Sequence, residues 1–280
     1  MQKKKVIVTH ENPDMDAIGA VWLFRKFGDQ EMQKAEVAFV KAGDTLEIGN
    51  DDLIHVDTGL GQFDHHQPGN RERTSATKLV YEYLVAKNKN LEADEALARV
   101  IDFINETDHF ASVNWPEPTA DRYLFGMEEL LAGLRSGQRF GDLELISFGS
   151  VCYDGIYTAM KMRVAAEEDL KTNGEEFETK WGKAYAIENQ NDEVMKLAMK
   201  QGYQVVVRKD KQQGNVRIKA VPDKGIDLSL VYEEIKGRDD QGTWYLHPSG
   251  TMLLNGSTKR SDQKPTSLTL QEVVEIVKGA

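Results

Sequence analysis

Cysteine is almost absent from this chain: Cys152 is the only one in 280 residues. A single thiol cannot close an internal disulfide, so a hydrophobic core must hold the fold, and a reducing, cytoplasmic setting is expected. Beside Tyr153, Cys152 reads as a small buried apolar residue with no histidine partner to make it a nucleophile. No apolar run approaches the roughly 20 residues of a membrane span, so no membrane partner is expected. The basic start Met1-Gln2-Lys3-Lys4-Lys5 leads into a short strand rather than a signal-peptide core. Positive charge is also scarce: 35 Lys and Arg stand against 46 Asp and Glu, a net charge of −11. That balance argues against a general binder of long nucleic acid. It leaves a phosphorylated small molecule or a short oligonucleotide as partner, because bound divalent cations add local positive charge that a formal count omits. No internal repeat or low-complexity tract occurs. Gly59-Leu60-Gly61 lacks the third glycine and following helix of a dinucleotide fingerprint.

What is present suffices for a sizeable core and about two domains. Short apolar runs at 5–9, 36–40 and 51–57 read as strands, and Asp16 to Phe27 carries a helical stripe through Ala17, Ala20, Val21, Phe24 and Phe27. Strand, helix, strand in this order predicts an α/β fold, a parallel sheet flanked by helices. Further helices are expected over 75–85, 93–108, 128–134 and 151–170. A smaller α+β domain follows, with strands at 184–187, 204–207, 215–221 and 252–254, a helix over 192–200, and a last helix from Leu270 capped by Thr269. The expected division is 1–178 and 183–280.

Two acidic, histidine-bearing stretches follow the first and third strands. One is His10-Glu11-Asn12-Pro13-Asp14-Met15-Asp16; the other runs from His55-Val56-Asp57 to Asp64-His65-His66-Gln67. Side chains leaving the ends of neighbouring parallel strands meet where open α/β sheets place their ligands. Imidazoles and carboxylates gathered there suit Mn²⁺, Mg²⁺ or Co²⁺ better than soft metals. A carboxylate and a histidine from each strand are enough for a two-metal hydrolytic site. The spacing is not that of the H-E-x-x-H zinc helix, since Pro13 disfavours helix at Asn12 and turns His10 to Asp14 into a loop. The plainer reading is that Asp14 or Asp16 only caps the next helix. Asp108 continues the apolar stripe Ile101-Ile104 of its helix, and a carboxylate on a core-facing stripe needs a partner. Asp102 is the alternative, although it projects with Asn105 and Glu106 toward the polar side.

His10-x-x-x-Asp14-x-Asp16 with Asp64-His65-His66 resembles the DHH phosphoesterase superfamily, which includes RecJ-like exonucleases, oligoribonucleases, cyclic-dinucleotide phosphodiesterases and manganese pyrophosphatases. The longer string from Asp57 to Gln67 is similar to the Asp-His-His-Gln block of the exonuclease branch related to melanocyte-proliferating proteins. The resemblance covers about the first 110 residues, and the chain lacks the Gly-Gly-Gly-His motif of many nucleic-acid-cleaving members. It implies a DHH-type catalytic domain, a smaller substrate-binding domain, a cleft site between them, and two divalent ions, Mn²⁺ foremost with Mg²⁺ or Co²⁺ as substitutes. It also implies ligand roles: His10 and Asp14 for one ion, Asp16, His65 and Asp108 for the other, and Asp57 as the bridge. His66 would contact a phosphate oxygen, with Asp64 orienting His65 or His66. Hydrolysis of a nucleotide or short oligonucleotide is the expected activity. The alternatives are a manganese pyrophosphatase and a non-catalytic metal-binding regulatory module on the same fold.

In the second domain, His247 and Ser249 lie in a polar turn, and Lys259 and Arg260 follow the strand 252–254 in a glycine-containing loop. Hydroxyls, backbone N–H groups and two cations make this a candidate phosphate clamp, with a solvated surface hairpin as the plainer alternative.

Overall fold

The computed structural model describes residues 4–47, 52–137, 139–222, 224–256, 260 and 262–280. The chain divides into two compact units, Met1–Lys161 and Met162–Ala280. In chain order the first unit contains β1 (Lys5–His10), α1 (Met15–Phe27), the single turn α2 (Gln30–Gln33), β2 (Glu36–Val40), β3 (Asp52–His55), α3 (Ala76–Lys87), α4 (Glu95–Asp108) and α5 (Met127–Ser136). The long helix α6 (Asp142–Thr172) starts in this unit and ends in the next. The three strands form a parallel sheet in the order β2-β1-β3, the α/β arrangement that the strand-helix-strand pattern predicts.

Burial follows from position. Ile7 and Val8 of the central strand are fully buried, as a strand covered on both faces requires. Every residue of α1 from Met15 to Phe24 is buried, so this helix is enclosed by protein rather than amphipathic at a surface. Two glycines permit that enclosure. A Cβ on Gly19 would overlap Thr77 Oγ1 of α3 and come 3.2 Å from Ile104 Cδ1 of α4. A Cβ on Gly149 of α6 would stand 2.8 Å from Ile18 Cγ2. Tyr153 of α6 reaches in behind, donating its hydroxyl to the Met15 carbonyl at 2.7 Å.

The second unit holds β4 (Gly174–Thr179), β5 (Gly182–Glu188), α7 (Glu193–Lys200), β6 (Val205–Lys209), β7 (Val216–Ala220), α8 (Ser229–Arg238), β8 (Trp244–Leu246), β9 (Met252–Asn255) and α9 (Leu270–Gly279). Its sheet runs β4-β5-β6-β7-β9-β8, with β5 and β6 parallel and the other pairs antiparallel. Val231, Ile235, Val273 and Val277 of α8 and α9 pack with Val205, Val207, Ile218 and Leu253. Val194, Leu197 and Ala198 of α7 pack with Tyr185, Ile187 and Val206. Thr269 and Glu272 close a full capping box at the start of α9.

Several details differ from the sequence expectation, which contained neither α8 nor β8. Helix α6 begins at Asp142 rather than 151, and Gly149 within it marks a close approach to Ile18 of α1. The acidic stretch after it forms the edge strand β4, in which Phe177 alone is buried. Cys152 is half-buried rather than buried. Among the described residues no helix is long and apolar enough to cross a membrane.

The Gly19 contact has a measurable consequence. Gly→Ala within a helix ordinarily stabilises by about 1 kcal/mol, but here the added methyl meets Thr77 and Ile104. Gly19→Ala is therefore expected to destabilise by roughly 1–3 kcal/mol, read as a lower Tm in thermal unfolding. A raised Tm would contradict the packing described.

Candidate metal centre

The strand register sets the centre. β3 pairs Val8 with His55, so two residues further along each strand His10 and Asp57 come level. Their side chains meet, His10 Nε2 lying 3.2 Å from Asp57 Oδ2. Asp57 adopts φ +55°, a left-handed conformation that aspartate tolerates better than most non-glycine residues. Its N–H donates to the Phe63 carbonyl at 2.9 Å, fixing the loop that leads to His65 and His66. His55 takes no part in this meeting: its Nε2 accepts the Leu46 N–H at 2.9 Å.

Asp14 and Asp16 arrive from the start of α1. Asp14 is the N-cap of that helix, its Oδ1 accepting from Asp16 N and Ala17 N at 3.0 and 3.1 Å. Asp16 is buried and reaches across to α3, where its two oxygens accept from Ala76 N and Thr77 N at 2.7 and 2.8 Å. Asp14 therefore caps α1, while Asp16 holds the start of α3. Neither role uses up a carboxylate, which has about four lone-pair sites.

Donor atoms converge in three overlapping groups: His10, Asp14 and Asp57; Asp16, His65 and Asp108; and Asp57, His65 and His66. Within each group they lie within 4.8 Å of one another. His65 Nε2 stands 3.5 Å from Asp57 Oδ1, 3.6 Å from Asp108 Oδ2 and 3.7 Å from Asp16 Oδ2. These separations are too long for good hydrogen bonds. They are close to the roughly 3.0–3.5 Å edges between donors that each lie about 2.1 Å from one ion. Asp57 Oδ1, His65 Nε2 and Asp108 Oδ2 are buried without a hydrogen-bond partner. Three orphaned buried donors facing one another fit a cation, because leaving them unpaired in a protein interior is costly.

The charges tell the same story. Burial, then the charges of Asp57 and Asp108, push the Asp16 carboxyl up to about 8. Burial also raises Asp108, against the opposing pull of His65. For Asp57 burial acts upward too, but the hydrogen bond from His10 and the approach of His65 outweigh it and hold the carboxyl well below the usual range. Asp57 in turn lifts His65 to about 9, against its burial. Burial disfavours charge on His10 as well, yet the Asp57 and Glu11 hydrogen bonds carry it to about 9. Protons on these imidazoles stand in the electrostatic place that a metal cation can take.

Asp64 is buried beneath the loop. Its Oδ1 accepts from the His66 N–H at 3.0 Å and lies 2.8 Å from His66 Nδ1, while Oδ2 accepts from Leu60 N at 2.7 Å. A carboxylate only accepts, so the His66 proton resides on Nδ1 and Nε2 is left for a ligand. Asp102 is exposed and Asp108 is the aspartate that joins the cluster. Glu128, Arg135 and His109 were not singled out from the sequence. Glu128 and Arg135 line a cleft of about 190 Å³ with Asp14, Asp16 and Asp108, and Arg135 donates to the Pro13 carbonyl at 3.0 Å. His109 lies one residue past Asp108, its ring centroid 6.3 Å from that of His65. The signal for Glu128 and Arg135 was their seven-residue spacing, which puts both on one face of α5.

The proposed clamp residues belong to the second unit. His247 Nδ1 lies 2.9 Å from Ser249 Oγ, which is 2.8 Å from Thr251 Oγ1. Arg260 forms a two-pronged pair with Asp262 at 2.8 and 2.9 Å, and Lys259 lies outside the described residues.

A family model described as "ChrB, C-terminal domain" matches residues 7–160, a span within the first unit. No curated protein matches the chain. Among solved structures, it is similar to the DHH domain of a member of a ribosomal protein family, with 11% identity, a TM-score of 0.34, and coverage of 98% of this chain and 85% of that one. RecJ from Thermus thermophilus, in complex with Mg²⁺, gives 13% identity, a TM-score of 0.34, and coverage of 99% and 49%. A Methanococcus jannaschii protein assigned to the family II inorganic pyrophosphatases gives 14% identity, a TM-score of 0.21, and coverage of 98% and 99%.

Metal uptake by such a centre must displace protons, since His10 and His65 bind a cation only when neutral and Asp16 only when ionised. Below their raised pKa values, near 9 for the histidines and 8 for Asp16, protons compete with the ion. Affinity is therefore expected to rise with pH and level off above about 9. Calorimetric titration of metal-stripped protein with Mn²⁺ at pH 7.5, in buffers of different ionisation enthalpy, should show release of roughly one to three protons per protein. A heat independent of the buffer would contradict this protonation pattern.

Proposed function

The chain belongs to the family of the ChrB C-terminal domain, and from the donors gathered in its matched residues we propose that it is a metal-dependent phosphohydrolase of the DHH type. Its substrate would be a nucleotide or a short oligonucleotide. The observation that carries this reading is the pair of donor groups that meet at Asp57, with three buried donor atoms left unpartnered between them. His10 and Asp14 would hold one divalent ion, Asp16, His65 and Asp108 a second, and Asp57 would bridge them. Mn²⁺ suits this nitrogen and oxygen set, as do Mg²⁺ and Co²⁺. When bound, such ions supply positive charge that stabilises a phosphoryl group under attack and makes water a stronger acid.

The side chains around the ions have separate tasks. His66, oriented through Nδ1 by Asp64, presents Nε2 to a phosphoryl oxygen and can donate a proton there when charged. Arg135, in the cleft beside Asp14, Asp16 and Asp108, offers a fixed cation to the same anion. Asp16 couples the centre to the scaffold, because the carboxylate that would bind an ion also holds the α3 backbone. The net charge of −11 repels long polyanions, which favours compact substrates. A hydrolysis rate that does not rise with RNA length at low salt is expected, and a steady rise would contradict the substrate class.

The decisive assay is hydrolysis with Mn²⁺ over cyclic dinucleotides, short RNA, 3′,5′-bisphosphates and pyrophosphate. Turnover of pyrophosphate alone would move the protein to the pyrophosphatase alternative. Failure on every phosphorylated substrate, with metal bound, would favour a regulatory metal-binding module. In an active preparation, Asp57→Asn should lower kcat by on the order of 100-fold or more and reduce metal content, because a neutral amide cannot bridge two cations. Circular dichroism should stay close to that of the parent protein. Full activity with metal retained in Asp57→Asn would overturn the shared-carboxylate arrangement.

A further inference from the structure

Beside the acidic cleft lies a larger and chemically different cavity of about 530 Å³. The two share Met15, Thr107 and Glu128 as lining residues. The larger one is walled by Phe103, Trp115 and Tyr123. Phe103 and Trp115 are stacked, with centroids 5.6 Å apart and planes at 25°, and Trp115 lies 5.2 Å from Tyr123. The polar edges of these rings are already engaged: Trp115 Nε1 donates to Glu106 at 2.8 Å and the Tyr123 hydroxyl to the Pro116 carbonyl at 2.8 Å. The rings are therefore held in place and contribute apolar surface rather than free donors. Arg122 also lines the cavity, its guanidinium carbon 5.1 Å from the Tyr123 ring.

We infer that this aromatic cavity is the subsite for a nucleobase, so that a base lodges against Trp115 and Tyr123 while its phosphate lies in the acidic cleft next door. The volume falls within the roughly 300–1,000 Å³ range of small-molecule sites and accommodates a base with its sugar. An apolar, aromatic wall joined to a cation-binding wall calls for a ligand with a flat, weakly polar end and an anionic end. A sugar phosphate or pyrophosphate has no part that would use the first wall. A base stacked on aromatic side chains gains roughly five- to hundred-fold in affinity. The inference rests on the phosphohydrolase reading for the contents of the acidic cleft, but its test does not.

The test uses full-length protein and the uncharged ligands adenosine and ribose, so that neither metal nor turnover is needed. Both are titrated by calorimetry and by tryptophan fluorescence. Adenosine is expected to bind at least fivefold more tightly than ribose and to quench fluorescence. Trp115→Phe, which keeps a ring, should retain most of the affinity while losing the quench. Thr119→Trp, a replacement of an exposed lining residue, should fill the cavity and weaken adenosine at least fivefold while circular dichroism stays that of the parent protein. Equal affinity for the two ligands, or a quench that persists in Trp115→Phe, would overturn the assignment and leave the phosphohydrolase reading standing. Base-dependent binding by a protein that hydrolyses nothing would have the opposite effect.

Discussion

Three carboxylates, Asp16, Asp57 and Asp108, face one imidazole nitrogen at 3.5–3.7 Å, and their mutual repulsion is the constraint to which the first unit answers. Two like charges about 5 Å apart repel by roughly 3 kcal/mol at the effective dielectric of a protein site. That is a large share of the stability of a domain. The metal-free protein meets it with protons, shared among His10, His65 and Asp16, and metal ions can meet it with more charge in the same space. A purely structural cluster would have paired these oxygens with guanidinium or backbone donors. Asp16 does so with α3, but Asp57 Oδ1 and Asp108 Oδ2 are left aimed at His65.

The scaffold that holds them is built in depth. Enclosure of α1 on all sides, with glycines where α3 and α6 press against it, fixes the helix start that carries Asp14 and Asp16. The parallel register of β1 and β3 brings His10 and Asp57 level. Asp64 ties the loop after Asp57 to His66 and Leu60. Each donor thus comes from an element whose position is set by packing or backbone hydrogen bonds, which favours a preorganised site over one assembled by its ligand.

Much of this was legible in the residues. Strands β1 and β2 and helix α1 lie within a residue of their expected bounds, because apolar periodicity and the loop at Pro13 are strong local signals. That strand ends would gather histidines and carboxylates was readable from the residues themselves, while the particular set of His10, Asp14, Asp16, Asp57, His65 and Asp108 was implied by the family resemblance. The clash between Asp108 and Asp102 as candidates resolves by burial, which their places on α4 already hinted at. The remainder depended on tertiary context. Helix α6 starts nine residues before its expected bound of 151, and the acidic segment of β4 becomes a strand only because β5 pairs with it. Glu128 and Arg135 share one face of a helix far along the chain, but their spacing does not tell what that face meets, here the cleft with Asp14, Asp16 and Asp108. Nor did the sequence tell that Arg260 would be matched by Asp262.

Two donor groups joined at Asp57 are placed so that they could hold two divalent ions. Diffraction from crystals grown with Mn²⁺, collected on either side of the manganese absorption edge, tests it most directly. Two anomalous peaks roughly 3.5–4 Å apart are expected, one against His10 and Asp14, the other against Asp16, His65 and Asp108, with Asp57 touching both. A single peak, or none among these residues at saturating Mn²⁺, would contradict that arrangement.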